Sequence, residues 1–358
     1  MIIFRYLAKE VYLTLVALTG ILMLIFMSNQ FVQYLNRAAS GSIPGMIIMK
    51  LMLLEVPNLM GLLLPLGFYM SLLLAYGRLY AENEMTVLRA SGYSPSQLVK
   101  HSLTMATLIV ILVGVVMLWA SPFIATERAK LLRSSGIKTL IQTIIPGRFN
   151  SISWGQLFYV EAMSRDHTEA KNIFLVKRNK VNEQIQWDIV WADKAFSESD
   201  SQTHEEYIVL DKGQEYQGIP GLANYQVSDF AQYKMRLPHP VVQIKADVRT
   251  EKTNALWPLN NSNLAKAAEL QWRLSIPLMV LTLTLVAVPL SRVNSRAGKF
   301  SKLLPAVIVY ILYANFMFLA RDGIVSGKIP LWIGMWWIHV VVLGLGLFLL
   351  WRNKVTLG

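Results

Sequence analysis

Apolar residues gather into six long stretches, and one polar block of about 150 residues divides them three and three. The first set lies near 11–34, 51–76 and 103–120, the second near 274–290, 303–320 and 331–351. A run of about 20 apolar residues is long enough to cross a bilayer as a helix. The pattern predicts a polytopic α-helical membrane protein of six transmembrane helices, carrying one inserted water-facing domain. The expected divisions are 1–121 for the first three spans, 122–273 for the polar domain with its linkers, and 274–358 for the last three. The first apolar run is longer than the roughly 7–15 residues of a signal-peptide core, so Arg5 and Lys9 are read as flanking a retained span.

Inside the block the period changes. Ile185, Trp187, Ile189 and Trp191 alternate with Gln186, Asp188, Val190 and Ala192, the period of two that marks a strand. Leu157–Val160, Ile173–Val176, Tyr207–Leu210 and Tyr225–Phe230 read the same way. Asp211-Lys212-Gly213 and Gln217–Gly221 read as turns between them. Many short strands at this spacing predict an all-β, jelly-roll-like domain. A polar helix running to about Thr143 is expected to open the block, and a Pro-bearing linker over 237–261 to close it. Ser262 or Asn263 is the expected N-cap of a helix leading into span 4.

The loop 77–101 carries a pattern of its own. Ala81, Met85 and Leu88 recur at i, i+4 and i+7, one apolar face of a helix. Gly92 suits a C-cap and Pro95 stops continuation, so a short helix is expected over about 80–91. Glu82 and Glu84 are two apart and point to different faces. Ser28-Asn29-Gln30 interrupt span 1 before Phe31, Val32 and Leu35, which fits an interfacial helix end or a functional lining. Pro57 and Pro65, with Gly61 and Gly67, predict a kinked span 2, either a bent packing helix or a moving wall.

Charge sharpens the membrane reading. The net charge of +12 would suit a nucleic-acid partner, but its placement does not. Arg5, Lys9, Arg78, Arg89, Lys100, Arg292, Arg296, Lys299, Lys302, Arg352 and Lys354 all fall on one predicted side. The opposite short loops hold only Arg37, Lys50, Arg321 and Lys328. This is the positive-inside bias, which puts both termini in the cytoplasm and the polar domain outside. No nucleic-acid partner is therefore expected.

Catalytic chemistry is missing from the pattern. The chain has no cysteine, hence no thiolate nucleophile and no Cys-based metal site. No phosphate loop, H-E-x-x-H or G-x-S-x-G motif occurs. His101, His167, His204, His239 and His339 lack metal-like spacing. His339, within span 6, is either functional or a neutral interface-level side chain. No catalytic residue, metal or bound cofactor is expected in this chain. Work on the membrane would need energy from a partner.

Four motifs in order carry a resemblance: Met1–Leu7 at the start, Gly77–Gly92 in the loop, Glu269–Arg273 before span 4, and Val288–Lys299 after it. Together they resemble the lipopolysaccharide export permease family, LptF/LptG, and the start and loop look more like the F-type subunit. The resemblance spans the whole chain, although the polar block matches in layout more than in letters. It implies a non-catalytic subunit of an ABC transporter in the Gram-negative inner membrane, with its large domain in the periplasm. The implied partners are a homologous subunit, LptG, and a dimeric cytoplasmic ATPase, LptB, which would bind ATP and Mg. LptC and a periplasmic bridge would receive the cargo, lipopolysaccharide, for the outer membrane.

The resemblance also implies site residues. The short helix becomes a coupling helix, with Glu84 as the charge contact to the ATPase and Glu82, Met85, Leu88 and Arg89 around it. Without the resemblance, the two glutamates read as merely solvating a surface helix. Acyl chains need an apolar wall, for which Phe31, Val32 and Leu35 are candidates. Phosphates need cations at the outer headgroup level, for which Arg37, Lys50 and Arg321 are candidates. Some relatives place basic residues near the outer end of span 1, where this chain has Gln30 and Gln33. Ile185, Trp187, Ile189 and Trp191 line an apolar periplasmic groove or form ordinary sandwich core. The alternative function is a mechanotransmitter that couples an ATPase to a periplasmic event without carrying lipid. A lipid-modifying enzyme is disfavoured, because Arg37, Lys50, Arg321 and Asp322 are too few and mostly cationic.

Overall fold

The computed structural model describes residues 2–39, 43, 45–134, 146–153, 156–164, 169–181, 184–199, 206–222, 225–236, 248–257, 263–292 and 303–355. Expectations for the Thr143 end of the opening helix, for His167, His204 and His239, for most of the 237–261 linker and for Val293–Lys302 lie outside those residues. The chain forms two compact units: Met1–Gln30 with Met52–Arg128 and Asp247–Gly358, and Phe31–Leu51 with Ala129–Ala246.

The first unit is helical. Its elements are α1 (Ile2–Ala39, whose C-terminal end belongs to the second unit), α2 (Ile48–Ala81), α3 (Glu84–Ala90), α4 (Pro95–Val115) and α5 (Ser121–Ser134). A π-helical turn, Val116–Ala120, joins α4 to α5. After the polar block come α6 (Leu264–Leu290), α7 (Leu303–Val325) and α8 (Trp336–Val355). Among the described residues, five helical stretches are long and apolar enough to cross a membrane: Ile2–Ala39, Gly45–Ala81, Pro95–Leu132, Leu264–Leu290 and Leu303–Val325. The sixth expected span is shorter than the sequence suggested. Its apolar helix covers Trp336–Arg352, because residues 331–335 are held in turns, with Gly334 at φ 46°.

Local signals explain the helix ends. Pro95 sits at the first position of α4, and Ser94 and Gln97 form a reciprocal capping box ahead of it. Asn263 caps α6 through its side chain, accepting from the Lys266 N–H at 3.2 Å. Pro57 and Pro65 lie inside α2 without ending it. The helices pack around a shared apolar core that includes Leu7 and Val11 of α1, Phe68 and Tyr76 of α2, Met105 of α4, Leu283 of α6, Tyr313 of α7 and Ile338 of α8. Gly67 allows α1 and α2 to approach closely, since a Cβ there would meet Thr19 Oγ1 at 2.5 Å.

The second unit is built on one antiparallel sheet, in the order β1 (Phe149–Ser153), β2 (Gln156–Met163), β3 (Glu169–Val181), β4 (Gln184–Ser199), β5 (Glu206–Gly218) and β6 (Gln226–Arg236). All five predicted strand segments fall in these strands, save Tyr225 just before β6. Each strand pairs with its sequence neighbours, and no pairing of β1 with β6 occurs among the described residues. The sheet is thus a meander there, without the crossovers of a closed jelly roll. Asp211-Lys212-Gly213, expected as a turn, runs inside β5. Lys212 takes the left-handed conformation at φ 51°, and pairing to β4 and β6 skips it and then resumes. Gly213 is required beside it, because a Cβ would lie 2.1 Å from the Trp191 carbonyl oxygen.

Candidate functional site

The short helix predicted in the 77–101 loop is α3, bounded by local stereochemistry. Asn83 adopts the left-handed conformation at φ 61° and separates α2 from α3. Gly92, at φ 91°, ends the helix, with its N–H and that of Tyr93 returning to the carbonyls of Arg89 and Leu88 at 3.0 Å. Met85 is 1% exposed and packs into the helical core, with Leu88 half-buried beside it. Val87 and Glu82 face outward. Tyr6 of α1 donates a 2.5 Å hydrogen bond to Glu84 Oε2. Arg78 pairs with Glu10 at 2.8 Å and approaches Glu82 at 4.0 Å. Arg89 donates to the Tyr80 hydroxyl and lies 5.6 Å from that ring's centre, a cation–π contact. Burial pushes the Tyr93 phenol up to about 12, so it stays protonated beside His101 Nδ1, 2.7 Å away. One residue of α3 therefore anchors it, while its charged side chains contact α1 and α2 or solvent.

A second polar cluster lies inside the helical unit, and the sequence pattern did not mark its role. Arg273 on α6 is fully buried. Its Nε donates to Glu269 Oε1 at 3.0 Å, one turn earlier. Its Nη1 donates to the Glu251 carbonyl and Thr253 Oγ1, and its Nη2 to the Arg249 carbonyl, each at 3.0 Å. A buried guanidinium is tolerated when its N–H donors are satisfied, and here four of the five are. Arg273 thereby clamps the segment 249–253 onto α6. The other oxygen of Glu269 accepts from Arg321 Nη2 at 2.5 Å. Arg321 also lies over the Trp272 ring, 5.0 Å from its centre. One carboxylate thus bridges two guanidinium groups, which leaves a local surplus of positive charge. Gln271 completes the motif by donating to the Leu331 carbonyl and accepting from the Met335 N–H. The signal in the sequence was the run Glu269–Arg273 itself, two ionisable residues one turn apart at the head of a long apolar stretch.

The remaining candidates divide between the units. Phe31, Val32 and Leu35 are exposed on α1, whereas Tyr34 among them is buried. Arg37 and Lys50 are also exposed and belong, with those residues, to the second unit. Arg321 belongs to the first unit and keeps 19% of its side chain accessible.

In the sheet, Val190 and Ala192 of β4 join the buried core with Val160, Ile173 and Leu175. Ile185, Trp187 and Trp191 point to the other face and are exposed, with Ile189 half-buried between them. The register extends that face sideways. Leu157, Val176, Ile189, Tyr216 and Val227 stand opposite one another in a row across β2 to β6. The four candidates therefore belong to a broad apolar strip, not to the core of this sheet.

Apolar helices bracketing an inserted sheet define a polytopic membrane protein with one sizeable β domain. The sequence matches the family described as lipopolysaccharide export system permease LptF/LptG over residues 5–352. The chain belongs to that family. It is 30% identical over 355 residues to the lipopolysaccharide export system permease protein LptF of Escherichia coli (strain K12), covering 98% of this chain and 95% of the relative. The LptF of Shigella flexneri matches to the same extent. Within the family the chain is most similar to LptF. It is a non-catalytic, lipopolysaccharide-permease-like subunit of an ABC-type exporter, resident in the inner membrane with a periplasmic β domain.

Proposed function

We propose that this chain extracts lipopolysaccharide from the inner membrane and passes it toward a periplasmic bridge, driven by a separate ATPase. The observation that carries the reading is the exposed apolar strip on the sheet, within a chain that matches LptF along nearly its whole length. Acyl chains leaving a bilayer need a continuous apolar surface, each buried methylene being worth about 0.8 kcal/mol. Ile185, Trp187, Ile189 and Trp191 provide such a surface, and Phe31, Val32 and Leu35 provide one at the end of α1. Arg37, Lys50 and Arg321 supply cations for lipid phosphates. Arg321 binds phosphate by exchanging or sharing its contact with Glu269.

In this reading α8 is the sixth span, both termini are cytoplasmic, and the sheet is one wall of a jelly-roll-like domain that hands cargo to LptC. LptG is the paired subunit. LptB docks beneath α3, meeting Glu84, Glu82, Leu88 and Arg89, while Met85 transmits the push into the helical core.

Photo-crosslinking tests this directly. A light-activated residue replaces Phe31, Arg37, Trp187 and Trp191 in turn, in cells with active or inactive ATPase. Lipopolysaccharide adducts at 31 and 37, with adducts at 187 and 191 only when ATP is hydrolysed, are the expected outcome. Adducts to protein neighbours alone would overturn extraction by this subunit and favour a mechanotransmitter.

A further inference from the structure

We propose that the helical unit binds an anionic phospholipid in a groove between α4, α6 and α8. The groove has a volume of ≈ 1100 Å³. Its walls are almost wholly apolar, with Leu103, Leu108 and Ile111 on α4, Leu281 and Leu285 on α6 and Leu343 on α8. Lys100 lies at the α4 N-terminal end of that wall, exposed and without an ion pair among the described residues. A second groove, of ≈ 340 Å³, shares Ser96 and Val99 with the first and adds Arg89, Arg292 and Trp351. The two form one track with three cations at one end and apolar walls along the rest. No carboxylate lines either groove.

The charge pattern selects the occupant. A zwitterionic lipid brings its own cation to the headgroup level, where three basic side chains already stand. A headgroup with net negative charge is attracted by all three. Trp351 beside them suits the interfacial level, where an indole meets both chain and headgroup. Inside the groove, His339 is 4% exposed, and its Nε2 has no hydrogen-bond partner among the described residues. Its Nδ1 is bonded to the Tyr313 hydroxyl, which meets Thr282 Oγ1 at 2.8 Å. On α8 His339 stands 12 residues from Trp351, about 18 Å by helical rise, so it lines the acyl-chain end of the groove and not the headgroup end. This site lies on helices other than α1 and is separate from the extraction surface proposed above. It depends on the bilayer orientation of that proposal only for the leaflet that supplies the lipid.

The test uses the full-length chain, purified with its partner subunits and reconstituted in nanodiscs. Phosphatidylglycerol with a photoreactive acyl chain is the probe, and the phosphatidylcholine analogue is the control. Adducts should map to residues 103–111 and 278–285. They should fall about thirtyfold in the double variant Lys100→Ala/Arg292→Ala, the loss expected from removing two cations at a membrane surface. The pair Lys100→Arg/Arg292→Lys should restore them, which separates lost charge from lost folding. Equal labelling by phosphatidylcholine, unchanged labelling of the double variant, or adducts confined to other helices would each overturn the proposal.

Discussion

Arg273 and Glu269 stand one turn apart on α6, both buried, with Arg273 Nε 3.0 Å from Glu269 Oε1. Replacing Arg273 by Met strands the Glu269 charge beside Arg321 alone and releases three contacts to Arg249, Glu251 and Thr253. Breaking a buried pair at one partner costs about 3–5 kcal/mol. Arg273→Met should lower the thermal midpoint of the purified chain sharply. Arg273→Lys should recover little of it, because an ammonium cannot span the same fork of acceptors. A midpoint unchanged in Arg273→Met would refute the clamp.

Met85 gives α3 its attachment. Met85→Ala removes a fully buried side chain, a change that costs about 2–5 kcal/mol when the site cannot collapse. The loss should be local. Amide exchange should quicken across Glu84–Ala90 while α4 keeps its protection. Uniform quickening throughout the helical unit would mean that α3 has no independent docking.

Tyr6 and Glu84 separate positioning from contact. Tyr6→Phe deletes one hydrogen bond to a carboxylate that is partly solvated, and should leave folding nearly unchanged. Glu84→Ala should lower ATPase-coupled transport about tenfold or more if the carboxylate makes a charged contact with LptB, a loss equal to about 1.4 kcal/mol. Transport assays on both variants decide it, and equal activity of Glu84→Ala and the parent chain would remove Glu84 from the interface.

Gly334 is an untolerant position. It holds φ 46°, and a Cβ there would meet Gln271 Oε1 at 1.9 Å. Gly334→Ala should dislodge Gln271 from Leu331 and Met335, destabilising the start of α8 by about 1–3 kcal/mol, the cost of buried polar groups left unmet. Thermal denaturation beside Gly344→Ala, where a Cβ meets nothing within 4 Å, provides the comparison.

Trp191 tests the apolar strip. Because it is 42% exposed, Trp191→Ser should change stability far less than a core substitution such as Val160→Ser. Crosslinking of lipid to neighbouring Ile189 should nonetheless fall. A collapse of folding in Trp191→Ser would return the residue to the core.

Much of this organisation is legible from neighbouring residues alone. Apolar run length marked the spans, and alternation marked the strands. Gly92 and Pro95 marked where α3 ends, because such stop signals act within a few residues. The same logic misled at Asp211-Lys212-Gly213, where turn-forming residues are absorbed into β5 by pairing on both sides.

What the sequence by itself determined, then, is which segments form helices and which form strands, and that apolar helices bracket one polar block on both sides. Both follow from periods and apolar runs read within short windows. Tertiary structure alone decided that Arg321 reaches Glu269, 52 residues away, that Arg273 clamps the segment before α6, and that Trp187 and Trp191 leave the core. Those outcomes depend on which surfaces the fold brings together, and spacing along the chain carries no record of distances across it.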